Sequence, residues 1–257
     1  MKILSGKSLP AGWPGKHWAC HQLAQEAKGD LLLFTDADTH HDPQTLSRAV
    51  AGMQQEGADL LSALPRQVIV TWGEKLIVPF MNWAIHSYLP LRLAQKLQLP
   101  TFSLTIGQFM LFRRAAFEAV GGFAGATHNV NDDVALGRAI ISAGYEWRLM
   151  NGARFISCRM YRSMAEILNG FSKNVFGFFN YCIIPFMAIF FFVTLAFLEP
   201  LWAVSNHALG GMVSDQAANY AWLAIMGALL LFSIAYLRLH IPLYLVPFYP
   251  LTIFLFT

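Results

Sequence analysis

Two sets of paired carboxylates carry the chemistry available to this sequence. Asp36-Ala37-Asp38 sets two acids two residues apart, and Asn131-Asp132-Asp133 sets two side by side. In an extended chain, residues i and i+2 point to the same side, so Asp36 and Asp38 can face one ligand. Carboxylate oxygens suit a hard divalent cation, Mg²⁺ or Mn²⁺, which binds through one or two such groups and completes its shell with substrate phosphates. The pair therefore reads either as the seat of a metal-bound diphosphate or as a plain turn, with Asp42-Pro43 starting the next helix. Asp132 and Asp133 stand where a helix opens, and an acid there serves as a cap. Adjacent carboxylates repel and a cap needs only one, so the other reading makes one of them a general base, taking a proton from an incoming hydroxyl.

The elements that must position these acids alternate in type. Leu31-Leu32-Leu33-Phe34-Thr35, after Gly29-Asp30, is a continuous apolar run, the pattern of a strand buried on both faces of a parallel sheet. It delivers Asp36 to the carboxyl end of the strand, where open α/β sheets bind their ligands. A helix is expected over 43–56 and a second strand over 58–63, giving a β-α-β alternation. Residues 106–112 read as a further strand closed by Arg113-Arg114, followed by a helix over 115–120 and a turn at Gly121-Gly122-Phe123. The helix carrying Asp132 and Asp133 runs over 134–141 and is capped by Gly144.

Composition divides the chain. Of 257 residues 56% are hydrophobic and 13% charged, about half the charged share of an ordinary soluble domain. Seventeen of the 18 Lys and Arg precede Asn174, and only Arg238 follows it. Residues 181–198 hold no charge before Glu199-Pro200, 217–237 are equally uncharged, and a third apolar run over 241–257 is still open at Thr257. The first two fit helices of about 20 residues crossing a hydrocarbon core. The segment before 181 and the 238–240 loop carry the basic residues, which puts both on the cytoplasmic side. Residues 74–96, interrupted by Pro79, Pro90 and Arg92, read as an interfacial or re-entrant segment where a lipid is met. A net charge of +3 is too small and scattered for a nucleic-acid partner. Cys20, Cys158 and Cys182 form no C-x-x-C pair and read as reduced thiols. His40, His41 and His128 near the acids read as solvated or capping side chains rather than ligands.

The order of motifs resembles the inverting glycosyltransferases of family 2 with the GT-A fold, in the membrane-bound branch that includes carotenoid, hopanoid and ceramide glycosyltransferases. The resemblance covers residues 5–180. It rests on Gly12-Trp13-x-Gly15-Lys16-x-Trp18-Ala19, Asp36-Ala37-Asp38, Gly107-Gln108 through Arg113, Gly121-Gly122-Phe123, Asp132-Asp133-Val134-Ala135-Leu136, and Cys158 to Ser163 before Gly170-x-Ser172-Lys173-Asn174. It implies a nucleotide-sugar donor, a UDP-sugar in this family, bound by Lys16, Asp36, Asp38, Gly107 and Gln108. It also implies a divalent metal, Mn²⁺ or Mg²⁺, on Asp36 and Asp38, and catalysis by Asp133 as base with Asp132 beside it. The sugar is then displaced once with inversion, the metal steadying the leaving diphosphate.

Asp132 replaces the family's usual Glu, and the processive members' Gln-x-x-Arg-Trp is absent, which points to single transfers. Arg162 and Lys173 stand in that region, either near the diphosphate or as charges flanking the first span. The family's first strand and early aspartate are missing before Gly12, and the chain is expected to be a piece of a longer reading frame.

The resulting expectation is an α/β fold: a GT-A-like, Rossmann-like mixed sheet lacking its first strands, followed by C-terminal transmembrane helices. Residues 1–175 form a partial cytoplasmic domain and 176–257 a membrane region with two full spans and a third cut short. The function expected is transfer of a sugar to a hydroxyl or carboxyl of a lipid acceptor by an integral protein of the bacterial inner membrane. The alternative is a catalytically inactive membrane protein serving as a binding or scaffold subunit.

Overall fold

The computed structural model describes residues 3–127, 131–178 and 182–256, residues 173–178 by backbone alone. His128, Thr257 and the side chains of Lys173 and Asn174, named above, lie outside the described residues, as does residue 181 at the head of the first apolar run. In chain order the elements are α1 (Gly15–Glu26), β1 (Leu31–Phe34), β2 (Thr39–His41), α2 (Thr45–Gln55), β3 (Leu60–Leu64), β4 (Arg66–Gln67), α3 (Trp72–Tyr88), α4 (Leu91–Leu97), β5 (Met110–Arg113), α5 (Arg114–Ala119), α6 (Asp132–Ser142), β6 (Trp147–Asn151), β7 (Ile156–Cys158), α7 (Met164–Phe178), α8 (Ile183–Ala208), α9 (Asp215–Arg238) and α10 (Tyr249–Phe256). They form two compact units, one of residues 1–66 and 90–159, the other of 67–89 and 160–257.

The first unit is α/β. Its main sheet has the order β1-β5-β3-β6. β5 runs antiparallel to both neighbours, pairing Leu31 with Arg113 and Leu60 with Phe112, and β3 runs parallel to β6 from Leu60/Trp147 to Leu64/Asn151. β3 is buried along its whole length: four of its five residues are apolar, and the hydroxyl of Ser62 is satisfied by donating to the Phe109 carbonyl and accepting from the Ile106 N–H. β1 is not: it is an edge strand with Leu33 exposed, and only Leu32 is fully buried. A purely apolar tetrapeptide reads the same whether one face or both are covered, so the sequence overstated its burial and mistook its direction of pairing. One face of the sheet packs Leu61, Ala63, Phe109 and Leu111 against Met53 of α2 and Ile156. Phe34, Phe112, Phe117 and Phe123 form an edge-to-face aromatic cluster. The Gly121-Gly122 turn permits that cluster, since both glycines have positive φ and a Cβ on Gly122 would sit inside the Phe117 ring. A small second sheet pairs β2 antiparallel with β7, Thr39 opposite Cys158.

The second unit is helical. α8 and α9, of 26 and 24 residues, are long and apolar enough to cross a membrane. Ser214 caps α9 by accepting from the Ala217 N–H. α8 does not stop at Glu199-Pro200 as expected but runs through to Ala208 with Pro200 inside it. A proline removes one N–H and leaves the later turns free to form, and the apolar Leu201-Trp202-Ala203 that follows continues the helical face. The third apolar run is a 3-10 turn over Leu243–Phe248 leading into the eight-residue α10. α3 contributes Phe80 and Trp83 to the core of this unit, with Trp83 stacked on Phe232 at 4.4 Å between ring centres. The sequence set a single boundary at 175, whereas the compact units part near 66, 89 and 159. The segment expected at 74–96 is divided accordingly, because α3 buries its apolar face among the apolar helices while α4 joins the α/β unit.

Candidate active site

The site is assembled by two helix N-termini and two strand ends of the first unit. α1 starts after Pro14 in extended conformation, and Gly12 takes a φ of 81° that leads into it. Its entry is clamped by Trp13 packed edge-on against Trp18, by the Trp18 indole N–H donating to the Lys7 carbonyl, and by the Lys7 N–H donating to Gln22. That clamp explains the two tryptophans around Lys16. The Lys16 ammonium, in the first turn, lies 2.8 Å from Asp36 Oδ1. Burial works against its charge, but the hydrogen bond to Asp36 and the nearby charges of Asp132, Asp36 and Asp133 outweigh that, leaving its pKa above the ordinary lysine value.

α6 begins two residues earlier than the sequence suggested, with Asp132 and Asp133 in its first turn and no side-chain cap from Asn131. Asp133 is held by main chain: Oδ2 accepts from the Gly107 N–H at 2.8 Å and Oδ1 from its neighbour Val134 N–H at 2.8 Å. Burial, then the charge of Asp132, push its carboxyl up to about 6, against the opposing pull of those two N–H groups and Lys16. A Cβ on Gly107 would stand 3.2 Å from Asp133 Oδ2 and 3.5 Å from Lys16 Nζ. At Gly107 the Lys16 ammonium and the Asp133 carboxyl both approach the main chain.

Asp36-Ala37-Asp38 is a turn rather than an extended segment, a correction to the expected geometry. The Thr39 N–H and hydroxyl both donate to the Asp36 carbonyl, at 3.3 and 2.7 Å, and close it. Thr35, Thr39 and His41 converge beneath it, with the Thr35 hydroxyl 2.6 Å from that of Thr39 and 3.1 Å from the Gln108 carbonyl to which it donates. Asp36 meets Lys16, and Asp38 meets the Cys158 thiol. Burial, then the charge and hydrogen bond of Asp38 and the charge of Asp36, push that thiol up to about 12. The Gln108 amide donates to Cys158 Sγ at 3.0 Å. Asp42 closes the turn ahead of α2, its carboxylate accepting from the Gln44 N–H and its carbonyl from the Thr45 N–H, so the helix starts at Thr45 rather than at Pro43.

The donor set of Asp36 and Asp38 fits a hard divalent cation. Both are carboxylates, Asp38 is exposed and Asp36 is one-third exposed, and the Lys16 ammonium at 2.8 Å would share Asp36 with such an ion. Among the described residues no group of three or more His, Cys, Asp or Glu is placed to hold a metal.

Lys16, Asp36, Gly107 and Asp133 are thus brought directly together. Asp132 lies behind them, and Gln108 is buried with its amide turned to Cys158. Sequence reading missed His17, which is 4% exposed with Nε2 3.4 Å from Asp132 Oδ2. It also missed Cys158 as the neighbour of Asp38. The β2–β7 register sets that contact, and no local pattern encodes it.

The model of Glycosyl transferase family 21 matches residues 3–173. The 4,4'-diaponeurosporenoate glycosyltransferase of Staphylococcus haemolyticus (strain JCSC1435) is 24% identical over 171 residues, 63% of this chain and 44% of that protein. The chain therefore spans less than half the length of this curated relative. Among solved structures, the mannosyltransferase PcManGT from Pyrobaculum calidifontis, in complex with GDP-Man and Mn²⁺, aligns over 92% of this chain and 66% of its own, with 19% identity and a TM-score of 0.44. The motif order pointed to a glycosyltransferase of the carotenoid-like branch, and the family matched carries the number 21 where the sequence reading named family 2. With two thirds of its length covered by that match, and the site motifs of that stretch gathered at one place, the chain belongs to Glycosyl transferase family 21.

Proposed function

We propose that this chain carries the catalytic part of an inverting, membrane-bound glycosyltransferase that moves a sugar from a nucleotide donor to a hydroxyl of a lipid. The observation that carries this reading is the meeting of Lys16 and Asp133 at Gly107, a fixed cation beside a carboxylate with a pKa of about 6. A base of that strength is ionised at neutral pH yet strong enough to accept a hydroxyl proton in the transition state. The Lys16 ammonium is suited to pair with the donor diphosphate, and Gly107 leaves room for donor and acceptor to approach. Asp36 and Asp38 would hold Mn²⁺ or Mg²⁺, which when bound neutralises charge on the leaving nucleoside diphosphate. Gln108 and the Thr35–Thr39–His41 group keep the Asp36–Asp38 turn in place.

The lipid acceptor is supported by α8 and α9, and by the relative named for 4,4'-diaponeurosporenoate. A cytoplasmic α/β unit is supported by Arg154, Arg159 and Arg162 before α8 and Arg238 after α9. The test is calorimetric titration of a nucleoside diphosphate into the detergent-purified chain with and without Mn²⁺. Binding should need Mn²⁺ and vanish in Asp38→Asn; binding indifferent to both would remove the metal from the reading.

A further inference from the structure

At the start of α3, in the helical unit, a cation stands among exposed rings. Val70, Trp72, Leu243, Tyr244 and Phe248 are each two-fifths or more exposed. The 3-10 turn over Leu243–Phe248 turns Leu245 and Val246 into the core of that unit and leaves Leu243, Tyr244 and Phe248 outside. The Phe248 ring lies 6.0 Å from that of Trp72, so turn and helix share one patch. Within it the Lys75 ammonium is 5.1 Å from the centre of the Trp72 ring and 6.0 Å from that of Tyr244, inside the reach of cation–π attraction. Among the described residues Lys75 makes no ion pair. Its neighbour Glu74 is buried, one carboxylate oxygen accepting from the Val70 N–H and the other from the Thr71 hydroxyl. The ammonium is thus placed by rings and left without a counter-charge.

We propose that Lys75, framed by Trp72 and Tyr244, binds the phosphate of an anionic phospholipid of the bilayer. This rests on reading α8 and α9 as membrane spans and is independent of the scheme for sugar transfer. Depth, apolar surface and charge together select this occupant. Arg238 closes α9 five residues before the turn begins at Leu243, and Leu245 and Val246 share a core with Ala235 and Tyr236 of the last turn of α9. The patch is therefore tied to the end of a span, the level of the lipid headgroups.

Indole and phenol rings favour that level, where the ring meets acyl chain and the polar edge meets water. A contiguous apolar patch facing water alone is unfavourable. The lysine stem lies along the rings and carries its charge outward, toward a headgroup phosphate. A zwitterionic lipid offsets its phosphate with its own cation, and a soluble phosphate leaves the rings in water, so an anionic lipid satisfies both halves of the patch. One basic residue at an anionic surface is worth about fivefold in affinity.

Native mass spectrometry tests this on the full chain in detergent, offered equal amounts of phosphatidylglycerol and phosphatidylcholine. The ratio of the two lipids retained by wild type should favour phosphatidylglycerol by about fivefold or more. Lys75→Gln should lower that ratio about fivefold, and Lys75→Arg should keep it. Trp72→Ala, which removes the larger ring beside the ammonium, should weaken retention of both lipids. Inorganic phosphate in large excess should displace neither. A preference that survives Lys75→Gln, or displacement by inorganic phosphate, overturns the proposal. Equal retention of both lipids by wild type overturns it and leaves the spans standing, whereas retention of neither takes the reading of α8 and α9 down with it.

Discussion

Replacing Asp133 by asparagine should make the protein more stable at neutral pH and inactive. A carboxyl carried from 3.8 to about 6 on folding is disfavoured as a charged group by about 3 kcal/mol. The sign follows from where the proton is held. The folded state keeps it more tightly than the unfolded chain, so stability falls as pH rises from about 4 to about 6 and stays lower above that range. Asparagine removes this penalty. It gives back about 1 kcal/mol, because one of the two main-chain N–H groups, of Gly107 and Val134, then faces an NH₂ group instead of an oxygen. The net gain is about 2 kcal/mol at pH 7.5. At pH 4.5 most of the folded carboxyl is already protonated, and the gain should shrink to near zero. Guanidinium unfolding followed by tryptophan fluorescence at both pH values measures it, and a transfer assay on the same samples should show a loss of about a hundredfold or more. An asparagine variant less stable than wild type at pH 7.5, or equally stabilised at both pH values, would refute the argument.

Two further outcomes follow from packing and reactivity. Gly137 of α6 lies against the Thr105 hydroxyl with no room for a Cβ, so Gly137→Ala should lower stability by about 1–3 kcal/mol in the same unfolding assay. Alkylation at pH 8 should modify the exposed Cys182 well before Cys158, whose buried thiol is raised to about 12; mass spectrometry of the digested protein reads the order.

Much of this was legible in the sequence, and the gaps have physical causes. Helices with capping or glycine signals were found within a residue or two: α2 opens at Thr45, two residues after the expected start, and α6 ends before Gly144 with its φ of 84°. The acids were found because carboxylates at the ends of apolar runs are unusual. What could not be read was pairing. Nothing local in Leu31–Phe34 states that β5 rather than a parallel strand lies beside it, or that β6 lies on the far side of β3. His17 escaped because a histidine one residue after Lys16 carries no pattern; its meaning comes from Asp132, more than a hundred residues away in the chain. α8 ran on past Pro200 because a proline weighs less than the apolar turns on both sides of it.

The placement of β5 between β1 and β3 has a consequence for synthesis. During translation β1 emerges roughly 80 residues before the strand that pairs with it, about 4–16 s at ribosomal rates of 5–20 residues per second. For that interval Leu31–Phe34 is an unpaired apolar segment, the kind that chaperones hold and that aggregates if they do not. The chain between them includes α3, which belongs to the helical unit and is made before the α/β unit can close. The two units therefore cannot mature one after the other in the order of their codons. For the same reason no contiguous cut isolates either of them: a fragment ending at 159 would carry α3 without the helices that cover Phe80 and Trp83.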